Sequence, residues 1–211
     1  MGVTVRELSR HECGQASRLL ARAFDEDPII TYFLHGRHRR RIAFPAFFRA
    51  VLEEMLPSGH LYAAHSDGQL IGAAAWLPPD AAEPDADARR AAARQRGIVR
   101  MMFPRASQRL FDGFAAMEHF HPSEPHWYLA FVGIEPVVQS RGVGGVLLSP
   151  VLTIADHTKT LCYLETPFPR THAFYERLGF VRHAEHNPWA GAPQGAVTFL
   201  RKPVVRTQGG A

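Results

Sequence analysis

The chain predicts an α/β (α+β) fold, one central sheet flanked by helices. Short apolar runs of strand length recur at Leu61 to His65, Leu70 to Leu77, Trp127 to Ile134 and Leu161 to Thr166. Around them lie segments whose apolar residues repeat at helical spacing. The run ending at Ile134 also passes through a glycine-rich turn into a helical pattern, an order whose loop can cradle a diphosphate.

In chain order, Val3, Val5 and Leu8 suggest an opening strand. Ser9 and Glu12 form a capping box, and Cys13, Ala16, Leu19, Leu20, Ala23 and Phe24 then mark one helical face. Asp27-Pro28 begins a short second helix near Ile29 to Leu34. Arg40 to Leu56 reads as a longer helix, closed by Pro57 and Gly59. Asp67-Gly68 turns a hairpin between Leu61–His65 and Leu70–Leu77. Pro78 to Asp87 is a loop rich in Pro, Ala and acid. Ala88 to Phe120 reads as mostly helical, with breaks at Gly97, Pro104 and Gly113.

The strand Trp127 to Ile134 stops at Glu135-Pro136, because proline restricts its own φ and the residue before it. After the turn, Val143, Val146, Leu147, Val151, Ile154 and Ala155 form one apolar helical stripe. Pro150 lies inside it, and an interior proline costs about 3 kcal/mol. A kink, or a helix well supported by packing, is expected there. Leu161 to Thr166 is a buried strand closed by Pro167 and Pro169. Thr171 to Leu178 is a two-turn helix with Gly179 at its C-cap. Phe180-Val181 and Ala196 to Leu200 supply two more strands. The tail from Val205 to Ala211 is expected to fray.

Composition narrows the function. The 211 residues suit one domain, and 46% hydrophobic content is that of a globular chain. A net charge of +4 suits a polyanionic small ligand and is too mild to imply nucleic acid. Cys13 and Cys162 are too few and too far apart for a disulfide framework or a Cys-rich zinc site. No secretory signal opens the chain, no apolar run reaches the ~20 residues of a membrane span, and Arg6 spoils a myristoylation pattern. A cytoplasmic protein without nucleic-acid or membrane partners is expected.

The loop Gln139-Ser140-Arg141-Gly142-Val143-Gly144-Gly145 narrows it further. No lysine follows the glycines, so it is not a P-loop, and the third glycine of a dinucleotide loop is missing. What remains is Q-x-x-G-x-G. With Glu124-Pro125-His126-Trp127-Tyr128-Leu129-Ala130 before it, and Leu164-Glu165-Thr166, Phe174-Tyr175-Glu176-Arg177-Leu178-Gly179-Phe180 and Arg201-Lys202-Pro203 after it, the chain resembles the GNAT superfamily of N-acetyltransferases. Over Glu124 to Pro203 it is most similar to the puromycin N-acetyltransferases within that superfamily. The front half matches far less well.

The resemblance implies a mixed, mostly antiparallel sheet of about seven strands, with the fourth and fifth splayed around acetyl-CoA. It implies one domain over residues 3–203 with a helical insert at about 84–121, and a flexible tail from 204. Direct attack of an amine on the thioester needs no protein nucleophile. Tyr175 stands where the superfamily carries the tyrosine that protonates the leaving thiolate. Main-chain N–H groups of Val132, Gly133 and Ile134 would polarise the carbonyl and pair with the pantetheine arm. The amides from Gln139 to Gly145, including Ser140, Arg141, Gly142, Val143 and Gly144, would hold the pyrophosphate.

The residues leave the general base open. Glu165 breaks an apolar strand where burial would raise its pKa. Glu124, His126 and Tyr128 are alternatives, and His172 fits better as a polar residue at a helix start. His119, His121 and His126 lie near Glu118 and Glu124, but their spacing matches no standard zinc pattern, so no metal is expected. The run Arg37 to Arg41 sits badly at a helix N-terminus and suggests an acidic neighbour or a phosphate. Asp25, Glu26 and Asp27 suit a helix start. Phe24, Tyr32, Phe33, Phe44, Phe47, Phe103, Phe111, Phe114 and Phe120 supply core and, in part, the wall of an apolar pocket. The expected activity is transfer of an acetyl group to the primary amine of a small molecule, by a monomer or homodimer. A protein amino-group acetyltransferase and a non-catalytic acyl-CoA-binding module are the alternatives.

Overall fold

The computed structural model describes residues 2–57, 60–81 and 86–204. Gly59, part of the acidic loop and the tail from Val205 lie outside the described residues. The strands are β1 (Thr4–Glu7), β2 (His60–Ser66), β3 (Gln69–Leu77), β4 (His126–Ile134), β5 (Leu161–Thr166), β6 (Val181–His186) and β7 (Ala196–Arg201). The helices are α1 (Cys13–Ala23), α2 (Pro28–Phe33), α3 (Arg37–Met55), α4 (Ala86–Met102), α5 (Pro104–Met117), α6 (Val143–Thr158) and α7 (Pro169–Arg177). Among the described residues no helix is long and apolar enough to cross a membrane.

The strands form one seven-stranded sheet in the order β1-β2-β3-β4-β5-β7-β6. Every pairing is antiparallel except β4 with β5. Side chains alternate across the sheet with period two. Leu61, Ala63, Ala73 and Ala75 therefore join a core with α1 to α5, while Tyr62, Ala64, Ala74 and Trp76 join a second core under α6 and α7. Both faces are covered, which is why the central strands are apolar almost throughout.

Local chemistry explains most ends. Asp67 and Gly68, both at positive φ, make the β2–β3 turn. The Glu12 carboxylate accepts from the Ser9 amide at 3.1 Å and hydroxyl at 2.8 Å. It also takes a bidentate bond from Arg6 at 2.7 Å, which holds its pKa far below the usual range. Asp27 caps α2 by accepting from the Ile29 and Ile30 amides. Its burial pushes the carboxyl pKa up to about 6. Gly179, at φ +87, ends α7.

Several expectations need correction. α3 starts at Arg37, ahead of the expected Arg40, and runs through Pro45. Its basic start does have an acidic neighbour: Arg37 lies 2.8 Å and Arg40 3.5 Å from Asp25. Gly97 and Gly113 are interior to α4 and α5, and of the three expected breaks only Pro104 separates helices. A Cβ on Gly113 would lie 2.0 Å from Trp189, so this glycine makes room for an indole. α6 is continuous across Pro150. The strand begun at Val181 continues to His186.

Candidate active site

The site forms where β4 and β5 part. They pair only at His126↔Leu161, Trp127↔Cys162 and Tyr128↔Tyr163. Thereafter β5 continues along β7 to Thr166↔Val197, and β4 along β3 to Ile134↔Gly72. Trp76 pairs with Leu129 and Ala75 with Phe131, which leaves Ala130 as an extra residue on β4. Such a bulge bends its strand and increases its twist. It falls just past the last β4–β5 pair, so the strands open into a V. The Val132, Gly133 and Ile134 main chain lies on one arm of that V. A Cβ on Gly133 would lie 2.8 Å from Leu20 and 2.9 Å from Ala23, so α1 packs directly on this segment. Arg22 of α1 adds a pair to Glu135 at 2.6 Å.

Past β4 the chain makes a tight turn, and the Gln139 side-chain amide donates to the Ile134 carbonyl at 3.0 Å. Ser140 and Gly142 then take φ +62 and +82. The amides of Ser140, Arg141 and Gly142 make no backbone hydrogen bond among the described residues. Val143, Gly144 and Gly145 form the first turn of α6, where N–H groups lack intrahelical partners. Arg141 is exposed. A Cβ on Gly144 would meet the Phe174 ring at 2.9 Å, so the glycine lets α7 pack against α6. Unpaired amides at the start of a long helix are the chemistry that holds a diphosphate.

Tyr175 reaches into the core from α7, its ring 5.1 Å from Phe174, 6.0 Å from Phe180 and 5.9 Å from Phe199. Its hydroxyl makes no hydrogen bond among the described residues. Burial drives the phenol pKa well above its ordinary value, so the group keeps its proton at neutral pH. His172 is buried against Phe199 and lies outside the cavity described next.

A cavity of about 960 Å³ opens on the α1–α5 side of the same V. Phe47, Val51 and Met55 of α3, Arg96 and Arg100 of α4, and Phe111 and Phe114 of α5 wall it. His126, Tyr128, Ala130 and Phe131 of β4, Glu165 of β5 and the approach from His121 to Pro125 complete it. The bulge contributes here too, since it turns both Ala130 and Phe131 to this face. Of the aromatics singled out in the sequence, Phe47, Phe111 and Phe114 reach the cavity, while Phe33, Phe44 and Phe103 are core. Phe120 stacks on His186 at 3.7 Å.

Glu165 Oε1 accepts the Tyr128 hydroxyl at 2.8 Å. Glu165 Oε2 is buried without a partner. His121 Nε2 lies 3.9 Å from Oε1. Glu165, Tyr128 and His126 thus meet in one cavity, and Glu124 lines it as well, whereas Tyr175 serves the other side of the sheet. Sequence reasoning missed His121, Phe131, Arg96 and Arg100. His121 had only its nearness to other histidines as a signal, and no group of three His, Cys, Asp or Glu among the described residues could hold a metal.

Residues 21–180 match the model of the acetyltransferase (GNAT) family. An uncharacterized N-acetyltransferase of Schizosaccharomyces pombe is 23% identical over 184 residues, covering 79% of this chain and 70% of its own length. Among solved structures, a histone acetyltransferase HPA2 and related acetyltransferase from Corynebacterium glutamicum superposes with a TM-score of 0.71 at 24% identity, covering 98% of this chain and 99% of its own. The PaiA N-acetyltransferase of Thermoplasma acidophilum, solved in complex with coenzyme A, superposes with a TM-score of 0.57 at 11% identity, covering 96% and 99%.

Proposed function

The chain belongs to the acetyltransferase (GNAT) family, and on that premise we propose that it is an acetyl-CoA-dependent N-acetyltransferase whose acceptor is the primary amine of a small molecule. The observation that carries the acceptor class is the cavity: about 960 Å³, walled by Phe47, Phe111, Phe114 and Phe131, with the Glu165 carboxylate on its β5 side. That volume is of the size that takes a small organic molecule. An aromatic or otherwise hydrophobic amine fits both features. The motifs between Glu124 and Pro203 that resemble those of the puromycin N-acetyltransferases put puromycin among the amines to try.

In this reading acetyl-CoA supplies the activated acetyl thioester. The amides of Ser140 to Gly145, with the turn held by Gln139, bind its diphosphate, and the exposed Arg141 adds charge. A main-chain N–H from Val132, Gly133 or Ile134 polarises the carbonyl, a contact worth about 3 kcal/mol in comparable sites. Tyr175 keeps its proton because it is buried, and gives it to the departing sulfur. Glu165, with one oxygen free of donors, receives the acceptor's N–H groups as the nitrogen is made ready to attack.

The test is thiol release from acetyl-CoA against a panel of primary amines that includes puromycin, with Tyr175→Phe beside the unaltered chain. Turnover of one or more amines that falls about 100-fold in Tyr175→Phe, with acetyl-CoA still bound, is expected. Turnover of none, despite tight acetyl-CoA binding, would refute the small-amine reading in favour of a protein acceptor or a non-catalytic module.

A further inference from the structure

The histidines beside Glu165 are arranged in a way that fixes where their protons sit. His126 Nδ1 lies 2.8 Å from the Glu124 carbonyl oxygen. A carbonyl only accepts, so Nδ1 carries the proton and His126 Nε2 is left as a lone pair in the neutral ring. That lone pair faces His121 Nδ1 at 3.3 Å, so His121 donates from Nδ1. Its Nε2 is then itself a lone pair, and it points at Glu165 Oε1 across 3.9 Å. Two acceptors face each other at a distance too long for a hydrogen bond, and the neighbouring Glu165 Oε2 is buried without a hydrogen-bond partner, as is the Tyr163 hydroxyl beside the same carboxylate. Tyr128 gives its only proton to Oε1. The His121 ring is held by the rings of Tyr128 at 4.4 Å, Tyr163 at 4.6 Å and His126 at 5.3 Å.

Acceptors without donors in a cavity call for a ligand rich in N–H. We propose that His121 and Glu165 together form the site for the acceptor's primary ammonium group, and that His121 Nε2 is the base that takes its proton. This rests on the small-amine reading above. The ammonium hydrogen-bonds Glu165 and His121, and one N–H proton passes to His121 Nε2. The N–H bond electrons become the lone pair that attacks the thioester carbon; as the C–N bond forms the C–S bond breaks, the departing thiolate takes the Tyr175 proton, and the second proton lost by the nitrogen restores the phenol. The imidazolium then pairs with Glu165 and can hand its Nδ1 proton to His126 Nε2, on the way to solvent. His126 is a positioning residue: its bond to Glu124 sets the His121 tautomer. Burial lowers the His126 pKa, so the ring passes a proton on and does not retain it. The other charged groups facing this cavity are Glu118, Glu124, Arg96 and Arg100.

The experiment pairs two acceptors of similar shape, phenethylamine, which is an ammonium at pH 7, and O-benzylhydroxylamine, whose nitrogen is already neutral there. His121→Gln retains polar atoms but cannot take a proton, and His121→Asn keeps the donor toward His126. In both variants kcat/KM for phenethylamine is expected to fall about 100-fold or more, at least about tenfold further than that for O-benzylhydroxylamine, which loses the hydrogen bond to His121 but needs no initial deprotonation. The dependence of the phenethylamine rate on pH should change along with it. An equal loss on both acceptors would overturn the proposal, because a residue that only supports the fold does not distinguish them. If the unaltered chain acetylates neither acceptor, the small-amine reading fails for this class. Ring-nitrogen NMR then judges the site separately: a shift of His121 Nε2 on adding phenethylammonium supports it, and no shift overturns it.

Discussion

Replacing Gly113 by alanine sets helix propensity against packing. Gly113 is interior to α5, where alanine is favoured over glycine by about 1 kcal/mol. An ideal Cβ there would lie 2.0 Å from Cδ1 and 2.1 Å from Nε1 of Trp189. Relaxed carbon contacts are about 3.5–4.0 Å, so the indole must retreat by about 1.5 Å. It has little room to do so. Trp189 is 3% exposed, meets Phe114 edge-on at 5.7 Å and donates to the Leu110 carbonyl at 3.4 Å. Overpacking of this kind costs about 1–3 kcal/mol. Complete expulsion of the indole would forfeit about 4–6 kcal/mol at ~25 cal/mol per Å². With propensity subtracted, Gly113→Ala is expected to lose up to about 2 kcal/mol by overpacking and about 3–5 kcal/mol if the indole is expelled. Urea unfolding followed by fluorescence reads this as a lower midpoint at unchanged slope. In the Gly113→Ala background, Trp189→Phe should cost less than it does alone, since the two changes share one contact. Because α5 also carries Phe111 and Phe114 into the cavity, KM for the amine should rise more than kcat falls. A Gly113→Ala chain as stable as the parent, or more so, would refute the packing argument.

Two other perturbations separate electrostatics from conformation. The Asp27 carboxyl is pushed up to about 6 in the fold, from an ordinary 3.8. Between these values the folded state binds more protons than the unfolded one, so stability should fall as pH rises from about 4 to about 6, by up to about 3 kcal/mol. Asp27→Asn still accepts from the Ile29 and Ile30 amides, so it should flatten that slope and match or exceed the parent at pH 8; an unchanged pH profile of unfolding would exclude Asp27 as its source. Gly142 sits at φ +82, and a Cβ added there would have nothing within 4 Å, so Gly142→Ala carries a conformational cost of about 1–2 kcal/mol and no clash. Calorimetric titration should show acetyl-CoA binding weakened about tenfold as the loop amides are re-aimed, with Gly142→Asn intermediate; unchanged affinity in a folded Gly142→Ala chain would remove the loop from the diphosphate site.

The sequence alone determined those features that a few adjacent residues specify. Asp67-Gly68 marks the hairpin, Glu135-Pro136 the end of β4, Gly179 the end of α7, and Gln139 to Gly145 the loop before α6, because turns and caps depend on local φ, ψ and nearby donors. The succession of strands and helices along the chain followed from those signals together with the family resemblance. Helix boundaries did so less well. Gly97 and Gly113 read as breaks because glycine costs a helix about 1 kcal/mol, a penalty that the packing of Trp189 beside Gly113 offsets from far along the chain. How the cavity residues meet lay beyond local signals, although Glu165, Tyr128 and His126 were already candidates in the sequence. Glu165 meets Tyr128 and His121 only because β4 and β5 pair in parallel at Tyr128↔Tyr163, which puts side chains of both strands on one face. The bulge at Ala130 then opens the strands and turns Phe131 into the cavity. Register and bulge position are set by burial summed over the whole sheet. No short stretch of sequence carries that sum, so only the tertiary structure decided which carboxylate, which imidazole and which rings share one cavity.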